Sequence, residues 1–120
     1  MHYLNRIAWR LMVIGLTLPV CLLADILRDG TIGPDSSVQP NGPNFEIPEG
    51  MGELHGSNLF HSFQDFSLTQ NQSVTFSGTS PIDAIISRVT GPNISNIDGL
   101  LRSTVPGADL YLMNPRGVIF

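Results

Sequence analysis

The sequence predicts an all-β fold built from many short strands, and three observations predict it. From Asn58 onward the apolar runs are short, rich in β-branched and aromatic residues, and bounded by Gly, Pro, Asn or Ser. Their centres recur about every 11–13 residues, the spacing of successive strands joined by turns. The runs "AII", "LL", "LYLM" and "VIF" are also near-continuous, where a half-solvated antiparallel strand would alternate apolar with polar. Strands covered on both sides, or stacked in a parallel solenoid, suit that texture. A sandwich stays open on these data alone.

The chain begins with a segment outside this pattern. His2, Arg6 and Arg10 make a basic start, and Leu11–Ala24 follows without a charge. That run is shorter than the roughly 20 residues of a membrane span, and Pro19 would kink it. Residues 1–24 are therefore expected to be a secretory signal peptide cleaved after Ala24, read by the export machinery of the inner membrane. Lipidation at Cys21 is disfavoured, because Val20 precedes it where a small residue is wanted. Residues 25–57 hold most of the turn formers, in "DGTIGPDSS", "QPNGPN" and "PEGMG". They read as a turn-rich lead-in with short strands around pieces such as Phe45–Ile47.

Residues 58–120 carry the strands. Leu59, Phe63 and Phe66 fall at i, i+4 and i+7, a spacing that also suits a helix face. The alternation of "FSL" and the surrounding Ser, Thr and Asn favour a strand with a bulge. Phe60, Phe63 and Phe66 are expected in the core. Asn93, Asn96 and Asn114 sit at corners, where Asn side chains of a solenoid stack in ladders. At the end, Asn114-Pro115-Arg116-Gly117 suits a type I turn: Asn bonds its own backbone, Pro pre-sets φ, and Gly favours the fourth position. This turn is expected to reverse the chain between two core strands.

Charge and composition exclude several functions. Beyond Ala24 there is no lysine, and four arginines (Arg28, Arg88, Arg102, Arg116) face ten carboxylates, formally −6. Such a chain is a poor nucleic-acid binder, since phosphate contacts need clustered cations. The only cysteine, Cys21, leaves with the signal segment, so no disulfide can staple the rest.

No residue set points to catalysis, a cofactor or a metal. His55, His61 and Asp65 match no closed ligand spacing, and both histidines are expected at the surface or in caps. Ser62 beside His61 has no nucleophile motif around it. Gly50, Gly52 and Gly56 do not form a dinucleotide fingerprint. Asp83 and Asp98 sit beside turns, where Asp is commonplace.

Three stretches in order, "NLFHSFQDFSL" (58–68), "IISRVTGPNISNIDGLL" (85–101) and "ADLYLMNPRGVIF" (108–120), resemble the N-terminal secretion domain of filamentous-haemagglutinin-type exoproteins. These are the passengers of two-partner secretion in Gram-negative bacteria. The resemblance covers about half the chain, and the signal segment and lead-in match the family's layout. It departs at Arg116, where the family's turn carries a second Asn. The resemblance implies a right-handed parallel β-helix with N-terminal capping strands, of which this chain is an incomplete portion. It implies recognition in the periplasm by an outer-membrane β-barrel transporter bearing POTRA domains, followed by secretion of an adhesin-like passenger to the cell surface or beyond. It also implies that Asn93, Asn96, Asn114, Pro115, Arg116 and Gly117 lie in the region the partner recognises. The alternative is a secreted β-solenoid carbohydrate-binding or polysaccharide-lyase-like protein, which should gather acids or a basic residue in one groove.

Overall fold

A computed structural model describes residues 26–120, so the expected signal segment lies outside the described residues. Among the described residues, ten strands and one short 3-10 turn (Glu49–Met51) account for the regular structure. The strands are β1 (Ile26–Arg28), β2 (Asn44–Pro48), β3 (Glu53–His55), β4 (Asn58–Phe66), β5 (Ser73–Ser77), β6 (Ala84–Val89), β7 (Ser95–Asn96), β8 (Leu100–Ser103), β9 (Asp109–Met113) and β10 (Val118–Ile119). The described residues are all-β.

Pairing is mostly parallel and never between chain neighbours, except for β3 and β4. One sheet stacks β4, β6 and β9; a second stacks β2, β5 and β8; a third pairs β7 with β10. The chain visits these sheets in rotation. Asn58 faces Ala84, and Ala84 faces Asp109, offsets of 26 and then 25 residues along the chain (58 to 84 to 109). β2 belongs to the turn-rich lead-in, yet it forms one edge of the second sheet by pairing with β5 over Asn44–Pro48. β1 and β3 run antiparallel to β4 and cover its edge opposite β6.

The expected bulge is present. Leu27 faces Asp65 but Arg28 faces Phe63, so β4 carries one extra residue at Gln64. That extra residue resets the alternation, which lets Leu59, Phe63 and Phe66 all point inward.

Inward side chains stack in rows across the strands. Leu59, Ile85 and Leu110 form one row, and Phe45, Val74 and Leu101 another. Leu59, Val74 and Ile85 are fully buried, each contributing about 1.5–3 kcal/mol of transfer free energy. Of the two arrangements expected for the apolar runs, cover on both sides is not what the strands show, and parallel stacking is. Burial alternates along β6 and β9, and the near-continuous apolar runs place Phe60, Ile86 and Tyr111 together on the outer face. Phe60 is thus half-buried on the outside and does not join Phe63 and Phe66 in the core.

One buried residue departs from its expected place. His61 is 2% exposed and packs on Phe63 and Phe76, so it is a core histidine and not a surface or capping one. The cause is strand parity: with Phe63 inward, the residue two before it must be inward as well. His61 faces Ser87 on the next strand, and His61 Nε2 and Ser87 Oγ both lack a protein hydrogen bond. Arg28 is also buried. Its guanidinium donates to the carbonyls of Ile32, Asp35, Val38 and Met51, and its own N–H donates to Gln39 Oε1. One side chain thereby ties the 30–39 loop to the sheet.

Candidate functional site

The Asn114–Gly117 turn closes as its residues dictate. Gly117 N donates to Asn114 O at 3.0 Å, and Arg116 N donates to Asn114 Oδ1 at 2.9 Å. Gly117 adopts φ 125°, in the region that favours glycine. The turn does not reverse the chain. β9 lies in the first sheet and β10 in the third, so the turn takes the chain round a corner, and the flanking Leu112 and Val118 are only half-buried.

Asn114 also reaches the preceding level of the stack. Its Nδ2 donates to Asn93 O at 2.9 Å and to Ser95 Oγ at 3.0 Å. One level further, Asn93 Nδ2 donates to Asp65 Oδ1 at 2.9 Å. The corner therefore carries a ladder of Asp65, Asn93 and Asn114. Asn96 is not part of it: it sits in β7, exposed, and bonds through its backbone, its N–H donating to Ser67 Oγ and its carbonyl accepting from Leu68 N. The ladder's first member, Asp65, went unrecognised because it stands inside an apolar strand and not beside a turn.

Beside this corner, a cleft of about 600 Å³ is lined by Arg88, Thr90, Met113, Pro115 and Arg116 among others. Arg88 is held in place by hydroxyls. Its Nε donates to Ser62 Oγ at 2.8 Å and its Nη2 to Thr31 Oγ1 at 3.2 Å. Both hydroxyls in turn donate to Asp29, at 2.6 Å and 2.7 Å, and Thr90 Oγ1 adds a third at 2.7 Å. Burial pushes the Asp29 carboxyl up, but the bonds from Ser62, Thr31 and Thr90 outweigh it and bring the pKa to about 2. Asp29 thus fastens the end of β1 to the outer face of β4 and β6. No sequence pattern announced it, because its donors come from three separate segments.

Arg88 and Arg102 both donate to hydroxyls. Arg102 Nε donates to Thr75 Oγ1 at 2.9 Å. Among the described residues, His55 Nε2 lies 2.8 Å from Glu53 Oε1, and both side chains are exposed. Among the described residues, no group of three or more His, Cys, Asp or Glu could hold a metal. The geometry offers hydrogen bonding and charge.

Three sheets of mostly parallel strands, visited in rotation, carry a polar ladder at one corner. The TPS secretion domain family matches residues 24–120, and the chain belongs to that family. No curated protein and no solved structure matches the chain. Membership supports a role in two-partner secretion, with a dedicated transporter as partner and a secreted destination. The family is one of targeting domains and not of enzymes.

Proposed function

We propose that this chain is the N-terminal recognition end of a large adhesin-like or haemagglutinin-like exoprotein, which it directs to an outer-membrane β-barrel transporter carrying periplasmic POTRA domains. The family match over residues 24–120 carries this reading. In it, residues 1–24 are a signal peptide removed on passage into the periplasm, 25–57 supply the cap, and 58–120 begin a right-handed parallel β-helix. The rotation of the chain through three parallel sheets supports that helix, as does the covering of β4 by antiparallel β1 and β3. Asn93, Asn114, Pro115, Arg116 and Gly117, with Asn96 on the adjoining strand, fall on or beside the surface offered to the transporter. The family match favours this over the carbohydrate-binding or lyase-like alternative. Secretion should be measured with and without the co-encoded transporter, together with the intact mass of the exported protein. The reading requires release into the medium only with the transporter, and a new N-terminus near Asp25. Equal release without the transporter would overturn it.

A further inference from the structure

The outer face of β4, β6 and β9 presents two neighbouring rows. Phe60, Ile86 and Tyr111 form one, and Ser62, Arg88 and Met113 the next, two residues along each strand. Tyr111 and Met113 are 50% and 55% exposed. The cleft at the end of the second row brings Arg116 to Arg88, and no carboxylate lines it. The remaining arginines are elsewhere: Arg28 is buried on four carbonyls, and Arg102 lies on β8 in another sheet. So a chain that is acidic overall converges two of its four described cations on one concavity, beside its exposed aromatic and thioether side chains. Asp29, the nearest acid in the network, already accepts three hydroxyls and the Thr31 N–H. It forms no ion pair with either arginine. The Arg116 side chain makes no hydrogen bond among the described residues, and Arg88 keeps Nη1 unbonded there.

We infer that this face seats an acidic, amphipathic segment of a protein partner. Its carboxylates would meet Arg88 and Arg116, and its apolar side chains would lie on Met113 and the Phe60–Ile86–Tyr111 row. Guanidinium forks suit carboxylates in two-pronged geometry. Arg88 is pre-set by Ser62 and Thr31, whereas Arg116 is ordered only when the partner arrives. The inference rests on the reading that the transporter's periplasmic domains bind this chain, and it names the chemistry of the contact.

The test measures binding of the soluble periplasmic domains of the co-encoded transporter to the exported protein, at low and moderate salt. Arg116→Glu should weaken binding about tenfold or more at low salt, with an unchanged melting temperature, and less at higher salt. Arg116→Lys should fall between wild type and Arg116→Glu, since it keeps the charge but loses the two-pronged fork. Arg102→Glu, the same charge change on another sheet, should bind as wild type. Wild-type binding with no loss in Arg116→Glu or Arg88→Gln would overturn the inference. So would an equal loss in Arg102→Glu, which would mark a diffuse charge effect. No wild-type binding at all would overturn the functional reading itself, and this contact with it.

Discussion

Acidification should destabilise this protein through His61. Burial, with a smaller push from the Arg28 charge, lowers the His61 pKa from 6.5 to about 4. The unfolded chain takes up its proton near pH 6.5 and the folded chain only near pH 4. The stabilisation is therefore complete above pH 6.5 and is lost progressively between 6.5 and 4, where the unfolded state binds more protons. The full difference, about 2.5 pKa units, corresponds to about 3.4 kcal/mol at 1.36 kcal/mol per unit. By pH 5 about 2 kcal/mol of it should be gone. Asp29 does not blur this window, because its stabilisation is lost only as the pH falls from 3.8 toward 2.

The assay is urea unfolding at pH 7.5 and pH 5, for wild type and His61→Leu. Wild type should lose about 2 kcal/mol more than the variant over that range. The packing change at position 61 shifts both pH points alike and leaves the difference intact. Equal losses in the two proteins would refute the argument, and would mean that His61 is solvated or finds a proton-accepting partner in the folded chain.

Arg28→Met should cost at least about 3 kcal/mol, because four carbonyls lose a charged donor at about 1–3 kcal/mol for each acceptor left unsatisfied. Limited proteolysis should then cut first within residues 30–39. Gly52→Ala should cost about 1–3 kcal/mol by overpacking, since a Cβ there would lie 2.6 Å from Phe60 O and 2.8 Å from the His61 ring; thermal melting checks it. Pro115→Ala should cost about 0.4–1 kcal/mol through unfolded-state entropy alone, seen as a small fall in the urea midpoint with an unchanged slope.

The strands were legible because turn formers bound each of them, and so was the bulge in β4, since Leu59, Phe63 and Phe66 cannot share a face without one. The position of His61 was legible too. Treating "NLFHSFQDF" by its i, i+4, i+7 spacing hid the period-2 rule that pairs His61 with Phe63 on the inner face and Phe60 with Ser62 on the outer. Arg28 was not legible by any local rule. Its partners are backbone carbonyls between 4 and 23 residues away, and a carbonyl leaves no trace in side-chain identity. Asp29 was hidden for a related reason: Ser62 and Thr90 are distant in sequence and meet it only after β4 and β6 pair.

The corner that closes β9 holds two kinds of residue, and their hydrogen bonds separate the roles of fold and contact. Asn114 is held from both ends. Its Oδ1 caps the turn at Arg116 N, and its Nδ2 joins Asn93 O and Ser95 Oγ on the level before. Ser95 is fully buried, so Asn114→Ala strands a buried hydroxyl as well as opening the turn, at about 1–3 kcal/mol. Arg116 is exposed and contributes only its backbone N–H to the turn. Arg116→Asn should therefore leave stability within about 0.5 kcal/mol of wild type. Any loss of transporter binding in Asn114→Ala should track its loss of folded protein and recover at lower temperature. A loss in Arg116→Glu should not recover, because the fold is already intact. Melting curves and binding at two temperatures decide the matter for both variants. If Asn114→Ala lost binding with an unaltered melting curve, its amide would be a contact for the partner, and the ladder to Asn93 and Ser95 would not be what keeps it there.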